Sequence, residues 1–294
     1  MKNKMKNKFD KICTDIKKVK IQGAENIAKA ALEALKFRHD KKAIKKLVGL
    51  RPTEPALRNV IALVLDLVEK GKEWNDAIEN VNKYLSNAEK KVEEYGLSLI
   101  KDGSKIYTHC HSNTVENVLS LAKEKGKRFV VYVTETRPLF QGRITAERLA
   151  KKGIKVVLGV DSNAYNFLKK ADMFLFGADA ITSEGNIINK IGTGMFTEIA
   201  AKLRVPCYCL TTSLKYDPLT KYGYKEIIEE RPAVEVWDKK IKNLKITNPA
   251  FEIVEAKNIK AIVSEFGVLS IKDFLKKINK VWQGNILEKL KELI

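Results

Sequence analysis

Two residues of this 294-residue chain stand where acid–base chemistry is commonly carried out: Cys110, within Tyr-Thr-His-Cys-His-Ser-Asn (107–113), and Asp179, which ends Phe-Leu-Phe-Gly-Ala-Asp (174–179). Cys110 closes a short apolar run just ahead of a helical pattern and is flanked by His109 and His111. A helix start and nearby cations lower a thiol pKa, which makes a thiolate base or nucleophile one reading. The other is a small buried apolar residue, the usual role of a single free cysteine. Metal binding by residues 109–111 is disfavoured, because neighbours on a strand point to opposite faces and no second ligand cluster accompanies them. Asp179 is either a cap for the segment that follows or a general acid whose pKa is raised by desolvation.

Groups suited to an anion lie in several loops. Asn189-Lys190-Ile191-Gly192-Thr193-Gly194 offers a cation and free backbone N–H groups at a helix start, a phosphate cradle by mechanism. Arg51-Pro52-Thr53 and Thr136-Arg137-Pro138 each hold an arginine beside a proline, whose ring restricts the backbone while the guanidinium can clamp phosphate bidentately. Lys215 follows a strand end at Thr211 and either completes an anion site or is a solvated lysine. Cys207 and Cys209 share one face of a strand and read as core.

The elements that must position these residues fall into two parts. Up to Leu99 every apolar pattern is helical, with runs over 12–37 broken at Gly23, then 44–47, 55–68 and 74–99. Thr53 is the expected N-cap of the third of these, with Glu54 and Pro55 suited to a first turn. After Lys101-Asp102-Gly103, β-rich runs at 104–108, 129–134, 155–160, 173–176, 206–211, 244–247 and 261–263 alternate with helical patterns at 114–125, 145–152, 164–169, 193–202 and 271–293. Alternation of this kind predicts an α/β fold: a helical domain over residues 1–100, then a Rossmann-like domain over 101–294 with a mainly parallel sheet. Ligands of such sheets bind outside the carboxyl ends of the strands, which gathers Cys110, Glu135, Arg137, Asp161, Asp179 and Thr211 or Thr212 at one edge.

A formal charge of +19 points to an anionic partner. Lysines spread along the whole chain, without interleaved aromatic residues or a nucleic-acid motif, favour a small phosphorylated ligand over RNA, DNA or a membrane surface. Four cysteines without CxxC spacing, and a basic N-terminus lacking the apolar run of a signal peptide, predict a reducing cytoplasm.

The motifs Thr-His-Cys-His-Ser-Asn (108–113), Thr-Glu-Thr-Arg-Pro-Leu-Phe-Gln-Gly-Arg-Ile-Thr-Ala-Glu-Arg-Leu (134–149), the run 177–193 and Asn-Pro-Ala-Phe-Glu (248–252) together make a specific pattern. Over residues 21–267 the chain resembles the archaeal ribose 1,5-bisphosphate isomerases. These belong to a wider group that holds methylthioribose 1-phosphate isomerase and the regulatory subunits of initiation factor 2B. The resemblance implies that Cys110 is the proton acceptor and Asp179 the donor in converting ribose 1,5-bisphosphate to ribulose 1,5-bisphosphate, a step in the salvage of nucleotide ribose. It places substrate contacts at Gln22, Gly23, Ala24, Glu25, Arg51, Ser112, Asn113, Thr114, Arg137, Asn189, Lys190 and Lys215. It implies no metal or redox cofactor, and a homo-oligomer, either a dimer or a hexamer. Initiation-factor-like relatives generally lack the cysteine, so its presence favours an enzyme over a non-catalytic regulatory subunit. An isomerase of methylthioribose 1-phosphate is the other alternative. Gln22, Glu25 and Asn113 depart from the arginine, glycine and lysine usual in the group, as do Glu252 to Ala256 and Phe266 from its later motifs.

Overall fold

The computed structural model describes residues 2–18, 20–21, 23–51 and 54–293, with side chains from residue 6 onward. Five helices precede the first strand: α1 (Lys2–Lys17), α2 (Ala24–Phe37), α3 (Lys41–Val48), α4 (Pro55–Glu69) and α5 (Trp74–Leu99). Gly23, at φ 83°, makes the expected break between α1 and α2. Asp40 caps α3 by accepting the Ala43 N–H at 3.1 Å. Helix α4 is apolar nearly all round, burying Leu57, Val60, Ile61 and Val64, and it packs between α2 and α5 as a central helix does. Thr53, its expected cap, lies outside the described residues. Glu54 holds the cap position without bonding a helix N–H through its side chain.

The second part supplies β1 (Lys105–His109), α6 (Asn113–Glu124), β2 (Val130–Thr134), α7 (Gln141–Lys151), β3 (Lys155–Gly159), α8 (Ala164–Leu168) and β4 (Met173–Phe176). It continues with β5 (Ala180–Ile181), β6 (Ile187–Lys190), α9 (Thr193–Lys202), β7 (Cys207–Leu210), β8 (Phe251–Val254), β9 (Ala261–Ser264) and β10 (Gly267–Leu269). Among the described residues, seven strands form one sheet in the order β10-β9-β7-β4-β1-β2-β3, parallel except for β10. Successive strands run outward from β1 in one direction and from β4 in the other, so the topological switch lies between β1 and β4. Alternate residues of β4 face opposite helix layers: Met173 and Leu175 join Val115 and Val118 of α6, whereas Phe174 and Phe176 join Phe196 of α9. The helices before β1 share one continuous core with that second face, except that the end of α5, from Val92, packs with the first.

Two expectations are corrected and one sheet is added. Residues 244–247 form no strand; Leu244 and Lys245 are exposed, and the alternating pattern there has no layer to bury against. The strand forms later, as β8, and completes a separate antiparallel sheet β5-β6-β8 that the sequence reading lacked. The single helix expected over 271–293 is two, α10 (Ile271–Val281) and α11 (Asn285–Glu292), because Gly284 takes φ 61° and ψ −138°, a conformation essentially confined to glycine. The break lets α11 return to α4, where Asn285 bonds Asp66 and Glu69 at 2.9 and 2.7 Å.

Candidate active site

Cys110 stands one residue beyond β1 in the left-handed region, at φ 66°. Neighbours on both sides hold it there: its N–H donates to Thr136 Oγ1 at 3.0 Å, and its carbonyl accepts from Thr145 Oγ1 at 2.8 Å. Asp161 fixes that neighbouring loop by accepting the N–H groups of Thr136 and Arg137 at 2.8 and 2.7 Å. His109 is structural. Its Nδ1 lies 2.9 Å from Thr134 Oγ1 and its Nε2 3.0 Å from the Ile191 carbonyl, and burial keeps it neutral with a pKa pushed down to about 4. It thereby ties the end of β1 to the loop after β6.

Asp179 follows β4, and its N–H donates to the Ile188 carbonyl of β6 at 2.8 Å. Because β1 and β4 are hydrogen-bonded neighbours, with Tyr107 opposite Phe174, the two residues leave adjacent strands at the switch point. Each retains some solvent contact while lying deep among protein atoms. Burial raises Asp179 above the ordinary carboxylate range, opposed by the charges of Lys215, Lys190 and Arg51. Burial also pushes the Cys110 thiol up to about 11, against the pull of Lys190. The expected thiolate is therefore corrected to a resting thiol: Cys110 precedes the Ser112 cap of α6 by two residues, and desolvation outweighs the cations near it.

Most of the anticipated contacts converge on this pair. Lys190 ends β6, and its charge acts on both Cys110 and Asp179. Asn189 is buried beside it and donates to Thr193 Oγ1 at 3.4 Å. Ser112 caps α6, accepting from the Val115 N–H. The start of α2, with buried Ala24, meets the start of α6: Thr114 Oγ1 donates to Glu25 Oε1 at 2.8 Å, and Asn113 Nδ2 lies 3.9 Å from where a Cβ on Gly23 would be. Lys215 is buried 3.8 Å from Glu25, and Arg51 reaches Glu54 at 3.2 Å and Glu229 at 3.7 Å. Gln22 lies outside the described residues. Arg137 is exposed, donating to the Val236 carbonyl at 3.0 Å and lying over the Phe140 ring, and it is not among the charges acting on Cys110 or Asp179.

The cradle at the start of α9 also needs correction. The Gly194 N–H donates to Glu252 Oε1 at 2.7 Å, so the chain supplies its own anion to the helix end. Two contributors were missed from sequence. The β5–β6 hairpin, which carries Asp179 and Lys190, had a signal in Ser183-Glu184-Gly185 between apolar pairs. Glu54, read as a helix-start residue, is a buried carboxyl in the same electrostatic neighbourhood as Asp179. Cys207 and Cys209 are core, as expected.

Close packing holds this region. A Cβ on Gly177 would lie 2.6 Å from Ser112 Oγ, so Gly177→Ala is expected to destabilise the fold by about 1–3 kcal/mol, read as a lower thermal unfolding temperature. An unchanged temperature would show that Ser112 yields freely.

The chain matches the Initiation factor 2 subunit family over residues 19–271. It belongs to that family. Among family relatives it is 38% identical to the ribose 1,5-bisphosphate isomerase of Methanocaldococcus jannaschii, covering 86% of this chain and 89% of that one. With the enzyme of the same name from Archaeoglobus fulgidus it shares 36% identity, over 86% and 87% of the two chains. The crystal structure of translation initiation factor eIF-2B from Pyrococcus horikoshii superposes with a TM-score of 0.77 at 26% identity, covering 89% of this chain and 96% of that one. The family fold is thus the one described above, a helical N-terminal part on a mainly parallel α/β sheet.

Proposed function

We propose that this chain is a sugar-phosphate isomerase that converts ribose 1,5-bisphosphate to ribulose 1,5-bisphosphate. The observation that carries the reading is that Cys110 and Asp179 follow adjacent central strands, with Arg51, Lys190 and Lys215 acting on Asp179 and Lys190 on Cys110. The isomerase relatives, similar over most of the chain, supply the substrate. In the reaction the C1 phosphate stays in place. With substrate bound, Cys110 has given its thiol proton to solvent, and from this state the sulfur takes the C2 proton as the bond between C1 and the ring oxygen breaks, while protonated Asp179 gives its proton to that oxygen. An enol joins C1 and C2. The C2 hydroxyl then returns a proton to Asp179, while Cys110 delivers its proton to C1, so the ketose forms and both residues regain their starting states.

Opposite roles require environments that hold the two groups apart. Desolvation shifts Asp179 toward the protonated form from which it can donate. Lys190 is the cation that favours the Cys110 thiolate once substrate is bound. Alkylation of Cys110 by iodoacetamide is expected to rise with pH toward a midpoint near 11, the reverse of an activated thiol. A midpoint below the ordinary thiol value would show an activated cysteine at rest.

The test of the function is incubation of purified protein with ribose 1,5-bisphosphate in heavy water. Ketose formation with deuterium exchange at the migrating hydrogen is expected; neither product nor exchange overturns the reading. The likeness to the Pyrococcus horikoshii initiation factor favours a second reading, a non-catalytic subunit, which predicts ligand binding without turnover. We further read the chain as a cytoplasmic homo-oligomer. Edge strand β3 leaves Leu158 47% exposed, and Val160 beyond it 54%, which supports association through that edge. Sedimentation at the monomer mass would count against it.

A further inference from the structure

Glu54 has no role in the chemistry above, and its surroundings are not those of a structural carboxylate. It sits at the N-cap position of α4 yet bonds no helix N–H with its side chain. It is 3% exposed. Its Oε1 accepts from Arg51 at 3.2 Å, whereas Oε2 is buried without a hydrogen-bond partner among the described residues. A carboxyl buried for structure alone is normally satisfied on both oxygens, since an orphaned one costs the full desolvation penalty. The charges facing it are Arg51 from its own loop, Asp179 after β4, Lys215 after β7, and Glu226 from the segment before β8. Glu54 therefore shares Arg51 and Lys215 with the proton donor.

We propose that Glu54 is a ligand-binding residue of this site: its Oε1 holds the Arg51 guanidinium, while its unpartnered Oε2 carries a proton and donates it in a hydrogen bond to an oxygen of the bound sugar phosphate. Only the identity of the ligand rests on the proposed function. Burial raises Glu54 to about 8, helped by Asp179 only when that group is ionised and opposed by Arg51 and Lys215, so the neutral form prevails at neutral pH. Above that value Glu54 becomes an anion that repels phosphate and pairs more strongly with Arg51. The pocket accepts an anionic sugar with Glu54 neutral and loses it as Glu54 ionises.

The full-length chain and its Glu54→Gln variant are titrated calorimetrically with ribose 1,5-bisphosphate at about pH 8 and about pH 9, in two buffers of different ionisation enthalpy. Phosphate monoesters titrate near pH 6 and lysines near 10.4, but burial pushes Glu226 up to about 8 as well, so the difference between wild type and Glu54→Gln, rather than the wild-type slope alone, reports Glu54. Wild type is expected to bind roughly fivefold more weakly at the higher pH, with uptake approaching about one proton per ligand. The glutamine variant, which can still donate from its amide, binds with no such slope. Equal slopes in both proteins overturn the proposal. If the glutamine variant does not fold, Glu54→Asp decides: a retained slope supports the proposal and a flat profile overturns it. If ribose 1,5-bisphosphate does not bind wild type, the same titration with inorganic phosphate separates the two claims. A pH slope that depends on Glu54 then sinks only the proposed substrate, whereas no binding of either probe overturns the Glu54 assignment.

Discussion

Cys110→Ser is expected to slow isomerisation by roughly 10²–10⁴-fold, the span of a lost general base, while shifting the unfolding temperature little. The two side chains are near-isosteric, and the backbone at 110 is fixed by Thr136 and Thr145 rather than by its own sulfur. What changes is acidity. The thiol already stands at about 11, and a hydroxyl in the same desolvated place is harder still to ionise. Lys190, the cation that helps the thiolate, cannot bring an alkoxide within reach of neutral pH. Single-turnover formation of ribulose 1,5-bisphosphate, measured beside C2 exchange, checks this. A loss below about tenfold in both would remove Cys110 from the proton transfer.

Asp179→Asn carries the second large effect, again roughly 10²–10⁴-fold, because an amide keeps the shape of the carboxyl but has no acidic proton for the ring oxygen. It should have a second signature. An ionised Asp179 raises the Cys110 pKa, so the amide is expected to move the alkylation midpoint of Cys110 down toward the ordinary thiol value. The midpoint reports how near the two groups lie, and lost turnover with substrate binding retained reports the proton donation.

Much of this geometry was legible in the residues. The alternation after Gly103 located the six parallel strands of the large sheet, though not the small antiparallel one, and the rule that ligands gather at carboxyl strand ends brought Cys110 and Asp179 together. The protonation state of Cys110 was not legible. Local sequence shows a helix start and two histidines, whereas desolvation by distant segments decides the outcome, and His109 is neutral. The phosphate cradle failed for a related reason: nothing near Gly194 in the chain announces that Glu252, 58 residues on, takes its N–H. Glu54 was hidden by its position, since an acid at a helix start already has an adequate explanation in the helix dipole.

The switch between β1 and β4 has one more consequence. The proton-moving residues hang from paired strands whose spacing backbone hydrogen bonds fix, whereas Glu25, Arg51 and Glu54 reach the site from the start of α2 and the approach to α4. On the proposed roles, the chemistry and part of the ligand choice would be written on different elements. Substitutions in the helical half can retune which sugar phosphate enters while the distance over which the proton travels is left alone. One scaffold can in this way serve several substrates, or none, by editing only its helices.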